Sequence, residues 1–347
     1  MNSLKELSKI PVKNIYYMLC YAWGHLTEKD MTSVAQEDEK DIHHLLTRIL
    51  VVKIRSLIKR GFYREYRANQ EEMSLLRGKV LFSQSVHSFS FKRGKMQCEY
   101  EELNLNILHN QIIKTTLHSL LRVQNLDQRL LNEVQQLHHY FAGIDIIPLY
   151  SKVFSNITLH RSNQHYRFVL DICQFLYESL LIHEDGDERS FSDFERDAKR
   201  MPRLFEEFVR NFYKAELPDY RVKRDRFHWD AVGDNLNYLP SMETDISLEN
   251  QSEKWIIDTK FYQDTVKGHW GSEKLISGNL YQLYSYLSNY KDKSFPKKEL
   301  KGMLLYPLVG HSLDLSYEIK GYPIKVCTVD LNQNWQQIHH RLLEIIC

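Results

Sequence analysis

The sequence predicts a mixed α+β or α/β protein in two parts. A helical and small β-rich N-terminal region covers 1–185, and a domain with a mixed sheet flanked by helices follows over 190–347. Three observations predict this. Apolar residues recur at helical spacing from Ile15 to Leu26, from Asp41 to Arg60, and again between about 104 and 183. The stretch Phe62 to Tyr100 breaks into short alternating runs around the turn-prone pairs Arg77-Gly78 and Arg93-Gly94. Beyond 190 the order becomes helix, hairpin, helix and strands, which is the pattern of a mixed sheet.

Each element has a local cause. Pro11 can open a helix, and Ile15, Met18, Leu19, Ala22, Trp23 and Leu26 then repeat on one face. The polar segment 28–40 reads as a loop. A second helix is expected over Asp41–Arg60, with Gly61 placed to stop it. Further helices are expected over Asn104–Val123, Asp127–Phe141 and Gln164–His183, and Glu184–Ser190 is the best linker. The second part is expected to run through a helix at Pro202–Ala215, a strand near Tyr220–Trp229 and a hairpin at Met242–Tyr262. A helix at Glu273–Tyr290 follows, then strands at Gly302–Tyr306, Tyr317–Ile319 and Lys325–Asp330, and a last helix ending near Ile346.

Composition narrows the function classes. Of 347 residues, 43% are hydrophobic and 26% charged, an ordinary globular balance. Lys plus Arg number 46 against 45 acidic residues, so a protein that simply coats nucleic acid is disfavoured and any DNA contact must come from local patches. One such patch is Arg221 to Arg226, for which a solvated face is the plain alternative. The 13 glycines include no G-x-x-x-x-G-K-[ST] loop, so any nucleotide-driven reaction needs another subunit to bind the nucleotide. The five cysteines are scattered without C-x-x-C spacing and read as reduced, mostly buried thiols of a cytoplasmic protein. The opening MNSLKELSKIPVKN has no apolar core of a signal peptide, and no apolar run is long enough to span a membrane.

The chemistry is concentrated in Glu243-Thr-Asp-Ile-Ser-Leu-Glu249 and Trp255-Ile-Ile-Asp-Thr-Lys-Phe-Tyr262, two alternating strands around a polar turn. A turn centred between Gln251 and Ser252 sets Asp245 opposite Asp258. Lys260, two residues on, then shares their face, with Glu243 opposite it. A one-residue slip would separate the set. Two carboxylates and a lysine on one face suit phosphodiester hydrolysis: the oxygens hold Mg²⁺, and the lysine orients the attacking water and offsets developing charge. The plain alternative is a solvated, salt-bridged hairpin. Against it, Asp258 directly follows the apolar Trp255-Ile256-Ile257, as in a strand leaving a core with its ionisable end at a rim.

Asp-x₁₂-Asp-Thr-Lys in a hairpin resembles the PD-(D/E)xK restriction-endonuclease-like core. That resemblance makes Asp245 and Asp258 the metal ligands and Lys260 their catalytic companion. It also implies a glutamate on the preceding helix, for which Glu206 in Leu204-Phe-Glu-Glu-Phe-Val209 is chosen over Glu207, and it matches Gln282-Leu-Tyr-Ser-Tyr286 to the Q-x-x-x-Y helix of the RecB-like branch. Thr244 stands where the label has proline. Beyond this motif, Ile10-Pro-Val-Lys-Asn-Ile-Tyr-Tyr-Met-Leu-Cys-Tyr-Ala-Trp23, Arg77-Gly-Lys-Val-Leu-Phe82, Asn110-x-x-x-Lys114, Met242-Glu-Thr-Asp-Ile246, Asn279-Leu-Tyr-Gln-Leu283 and Cys327-Thr-Val329 resemble McrC proteins over nearly the whole chain.

The McrC resemblance implies a Mg²⁺-dependent DNA endonuclease subunit that works with a McrB-like AAA+ GTPase ring on DNA containing modified cytosine. Its N-terminal part would dock on the ring and stimulate GTP hydrolysis, and its C-terminal domain would cut. Two other readings remain: a non-cleaving assembly and GTPase-stimulating module with a vestigial site, and a stand-alone RecB-like repair nuclease.

Overall fold

The computed structural model describes residues 10–27, 41–124, 126–182, 189–191, 199–261, 266–269, 272–291, 297–308 and 312–346. The expected loop at 28–40, most of the expected linker, Tyr262 at the hairpin's end and Cys347 lie outside the described residues. Helix α1 (Val12–Trp23) opens the described chain. It is followed by α2 (Ile42–Arg60), β1 (Glu65–Met73), β2 (Lys79–Val80), α3 (Phe82–His87), β3 (Met96–Asn104), α4 (Leu108–Leu120), α5 (Gln128–Tyr140), α6 (Ser151–Ser155), α7 (Arg167–Ser179), β4 (Leu180–Ile182) and β5 (Arg189–Phe191). Then come α8 (Arg200–Glu216), β6 (Arg221–Lys223), β7 (Arg226–Phe227), β8 (Met242–Glu243), β9 (Ile246–Glu249), β10 (Glu253–Thr259), β11 (Val266–His269) and β12 (Ser272–Leu275). Helix α9 (Ser277–Asn289), β13 (Glu299–Pro307), β14 (Asp314–Ile319), β15 (Tyr322–Val329) and α10 (Trp335–Ile346) complete it.

These elements form two compact units, His43–Ser192 and Met1–Ile42 with Asp193–Cys347. The partition 1–185 against 190–347 therefore needs one correction: the first helix belongs with the C-terminal unit. The physical reason is packing that no local pattern reveals. Tyr21 lies against Phe208, Phe212 and Trp335, with ring centroids 5.8, 5.2 and 5.7 Å away, and its hydroxyl donates to Glu216 at 2.5 Å. The Asn14 amide donates to the carbonyls of Leu331 and Gln333, both at 2.8 Å.

In the unit 43–192, helices α4, α5 and α7 bury apolar stripes such as Ile112, Ile113, Leu117 and Leu120. The expected β-rich module is an antiparallel three-stranded sheet of order β1-β3-β2. Gly78, at φ +69°, lies against β3 so closely that a Cβ would sit 2.3 Å from the Glu99 carbonyl oxygen, so only glycine fits that turn.

The C-terminal unit is built on a six-stranded mixed sheet of order β14-β15-β13-β10-β9-β6. Strands β10, β13 and β15 run parallel, and β9, β6 and β14 are antiparallel to their neighbours. Side chains alternate between faces, so Ile256, Leu304, Tyr306, Ile324 and Val326 share one face and pack against Leu283, Tyr286 and Leu287 of α9. Gly302 is where that helix comes nearest, since a Cβ there would meet Leu287 Cδ1 at 2.8 Å. Helix α8 is amphipathic and buries Leu204, Phe205, Phe208, Val209, Phe212 and Tyr213. One expected boundary moves: the helix predicted from Glu273 starts at Ser277, because 272–275 is paired with β11 as strand β12.

Candidate active site

The hairpin forms with the predicted register. Leu248 pairs with Trp255, Ser247 with Ile256 and Ile246 with Ile257. The Asn250 side chain holds the turn by accepting from the backbone N–H of Ser252 and Glu253, both at 2.9 Å. The ladder ends at Ile246, however, so Asp245 and Asp258 are neighbours at the end of the sheet rather than a laddered pair. Asp245 Oδ2 accepts from the Thr259 backbone N–H at 2.8 Å and from its hydroxyl at 3.1 Å.

Glu243 does not lie opposite Lys260 as expected. It pairs with Arg226 in the β7–β8 ribbon, with their charges 2.7 Å apart. The cause is Thr244, whose N–H donates to the Asp225 carbonyl and whose hydroxyl accepts from the Asp225 N–H, both at 3.0 Å. Two bonds at one residue turn the chain off the hairpin and leave Asp245 at the bend.

The remaining predicted residues converge on Asp258. This carboxylate is fully buried. Lys260 Nζ donates to its Oδ1 at 3.0 Å and stands 2.9 Å from its Oδ2 as an ion pair. Among the described residues Oδ2 has no directed hydrogen bond. Lys260 also donates to Gln282 Oε1 at 3.0 Å, and Gln282 Nε2 donates to the Tyr286 hydroxyl at 2.8 Å. The spacing of four residues puts Gln282 and Tyr286 on one face of α9, and the sheet places Asp258 beneath it.

Burial, then the neighbouring Asp245 charge, push the Asp258 carboxyl up to about 7, with Lys260 pulling back and Glu206 adding to the rise. The Tyr286 hydroxyl is raised by burial; its bond to Gln282 opposes this, and the Asp258 and Asp245 charges add to it. Glu206 is close enough to act on Asp258, but its Oε1 is held by Arg210 at 3.0 Å and by Arg224. Sequence reasoning missed those two arginines. Arg210 carried a signal, being four residues along the helix from Glu206, whereas Arg224 reaches it only through the fold.

The fit to a divalent cation rests on Asp258. A fully buried carboxylate with one oxygen lacking a directed partner, next to a second carboxylate, is a donor set that wants a cation. Among the described residues no three His, Cys, Asp or Glu side chains are arranged as a closed cage. Mg²⁺ does not need one, because it is held by one or two carboxylates together with water and substrate phosphate.

A second charged cluster lies behind the site. Lys254, almost fully buried, pairs with Asp225 and lies 4.4 Å from the Tyr290 ring centroid. Burial alone would lower this lysine, but Asp225 outweighs it and raises it. Burial likewise opposes ionisation of Asp225, and Lys223 and Lys254 overcome it and hold its carboxyl low.

Fold and site together define a mixed-sheet α/β protein with a buried acid–lysine centre at the carboxyl end of β10. A model of the family described as "McrBC 5-methylcytosine restriction system component" matches residues 5–307. The "Type IV methyl-directed restriction enzyme EcoKMcrBC" of Escherichia coli (strain K12) is 33% identical over 343 residues, 98% of either chain. In a tetradecameric assembly of Thermococcus gammatolerans McrB AAA+ hexamers with bound McrC, a solved chain matches 99% of this one over 78% of its own length, with TM-score 0.61 and 17% identity. The chain belongs to the McrBC 5-methylcytosine restriction system component family, as its resemblance to McrC proteins implied. Among the described residues no helix is long and apolar enough to cross a membrane, and Cys20, Cys98, Cys173 and Cys327 are buried.

Proposed function

We propose that this chain is the DNA-cutting subunit of a restriction complex, hydrolysing phosphodiester bonds at a PD-(D/E)xK-type centre made by Asp245, Asp258 and Lys260. The observation that carries this reading is the fully buried Asp258 carboxylate, held near Asp245 with both oxygens within 3.0 Å of Lys260 Nζ and Oδ2 without a directed hydrogen bond among the described residues. Asp245 and Asp258 would hold Mg²⁺. Bound there, the cation supplies Lewis acidity to the phosphate and to the attacking water.

The chain's own groups do the rest. Thr259 fixes the Asp245 carboxylate through its N–H and hydroxyl. Lys260 brings its ammonium to the rim, where it stabilises charge growing on the phosphate and orients the nucleophile. Gln282 Oε1 accepts a hydrogen bond from Lys260 and its amide is itself anchored on Tyr286, so the ammonium is aimed from two sides. Glu206, on release from Arg210 and Arg224, adds a third carboxylate to the water's surroundings.

The family and the likeness to a McrB–McrC assembly support a McrB-like AAA+ GTPase ring as the partner, modified-cytosine DNA as the substrate and the cytoplasm as the place of action. The unit 43–192 and α1 are the parts left for docking and GTPase stimulation. The test is a set of three variants, Asp245→Ala, Asp258→Ala and Lys260→Ala, assayed with the partner, GTP and Mg²⁺ on methylated plasmid. Cutting should vanish in all three while stimulation of GTP hydrolysis persists. Full cutting by all three would refute the assignment, and a wild type that stimulates GTP hydrolysis but never cuts would favour the vestigial-site reading.

A further inference from the structure

The segment 228–241, between β7 and β8, is an ordered loop with its apolar side chains turned outward. Val232 and Tyr238 are 103% and 87% exposed, and Leu236 is half exposed. Order comes from polar bracing. The Trp229 indole N–H donates to the Pro240 carbonyl at 3.0 Å, the Tyr238 and Leu239 N–H groups close a single 3₁₀ turn, and the β7–β8 pairs Arg226–Glu243 and Phe227–Met242 clamp the base. Aromatic and aliphatic groups in water add no stability to a loop braced in this way, and three of them within seven residues of one loop leave apolar surface open to contact.

Its position says what it contacts. Two residues after the loop's clamp comes Asp245, so the loop and the metal-ligand bend are one continuous piece of chain. On its other side the loop stands on the helix that carries Gln282 and Tyr286. The Asp230 N–H donates to Asn289 at 2.8 Å, and Phe227 at the loop's base meets Tyr286 edge-on at 6.3 Å. Charge around the loop is balanced: Arg221, Lys223, Arg224 and Arg226 precede it, against Asp225, Asp230, Asp234 and Glu243. The side chains of Arg226 and Lys291 remain 68% and 66% exposed although each contacts an acid, and Lys291 neutralises Asp230 at 2.7 Å. An apolar tip beside the paired carboxylates, with solvent-facing cations at its base that can exchange an acid for a phosphate, suits a ligand that offers base or sugar faces between rows of phosphates.

We propose that the loop 228–241 is a DNA wedge: Val232, Leu236 and Tyr238 press into the groove of the duplex beside the scissile phosphate, while Arg224, Arg226 and Lys291 hold the flanking phosphates. This rests on the nuclease reading and adds how that site grips its substrate. The wedge bears on the duplex next to Asp245, so it also sets which phosphate reaches the carboxylates.

The experiment replaces Tyr238 by p-benzoylphenylalanine in the full chain. The chain is assembled with its GTPase partner on a labelled methylcytosine duplex, with Ca²⁺ in place of Mg²⁺ to prevent cutting, and is then irradiated. A covalent adduct with DNA is expected. In parallel, Val232→Ser with Tyr238→Ser, both at exposed positions, should weaken duplex binding by the complex about tenfold, in line with the loss of apolar area buried against the groove, and reduce cutting while GTP hydrolysis stays unchanged. Adducts to protein alone, as from a second copy of the chain meeting at this loop, would overturn the proposal. So would the absence of any adduct, or unchanged DNA affinity in the double variant. Asp258→Ala separates the two ideas: if it loses cutting but keeps the Tyr238 adduct, both stand, and if it cuts like wild type the nuclease reading fails whatever the loop does.

Discussion

The carboxylate of Asp245 is tethered to the backbone N–H of Thr259 at 2.8 Å. This bond sets a charged group from a bend against the last residue of a central strand and fixes its distance from Asp258 without a ladder. Asp245→Asn keeps an amide oxygen to accept the same N–H. It should therefore fold with a stability change within about 1 kcal/mol, but cut at least ~100-fold more slowly, because the lost charge supplied cation binding. Urea denaturation and plasmid cleavage check the two halves separately.

Asp258 gives the metal-free protein a pH dependence of defined sign. Its folded value, about 7, lies above the ordinary carboxylate value of 3.8. The folded state thus binds this proton more tightly than the unfolded chain does. Stability from this group is fully present below about pH 4 and is lost as pH rises through 7. Asp258→Asn should remove the loss and stabilise the metal-free protein at pH 8 by up to ~4 kcal/mol, with little gain at pH 4. Melting temperatures of both proteins in EDTA across that range would show the divergence. Mg²⁺ competes with the proton, so its stabilisation of wild type should grow between pH 6 and 8 and be absent in the variant.

Lys254→Met tests the ion pair behind the site. The substitution leaves Asp225, its side chain only 12% exposed, with Lys223 as an ion-pair partner at 2.7 Å. A loss of about 3 kcal/mol is expected, the lower end for breaking a buried pair because one cation stays. Asp225 also anchors Thr244, so cutting should fall more steeply than stability at temperatures where the variant is fully folded.

Gly302→Ala reads the seat of α9. The added methyl meets the side-chain ends of Leu287 and Leu283, with the nearest atom at 2.8 Å, and those side chains must turn to admit it. Overpacking of this kind costs about 1–3 kcal/mol. The α9 backbone keeps its place while these side chains turn, so cutting and Mg²⁺-induced stabilisation should both stay near the wild-type level.

The parts of the site legible in the sequence were those set by local rules. Alternation and a polar turn gave the Leu248–Trp255 register, and helical spacing paired Gln282 with Tyr286. What failed depended on partners far along the chain. The end of the ladder at Ile246 is decided by Thr244 bonding to Asp225, nineteen residues away, so Glu243 was assigned to the wrong face. Lys254 falls in the polar turn between the two alternating strands of the sequence, and its burial against Asp225 and Tyr290 exists only in the fold. Helix α1 had a clear apolar stripe, but a stripe does not name the surface it covers, and here that surface is α8 with Trp335.

The central claim is tested most directly by incubating wild type and Asp258→Ala side by side with the AAA+ GTPase partner, GTP, Mg²⁺ and methylated plasmid. The account predicts that both proteins accelerate GTP hydrolysis equally and that only the wild type converts the plasmid to linear DNA. Equal cutting by the two would contradict it and move the active site away from β10.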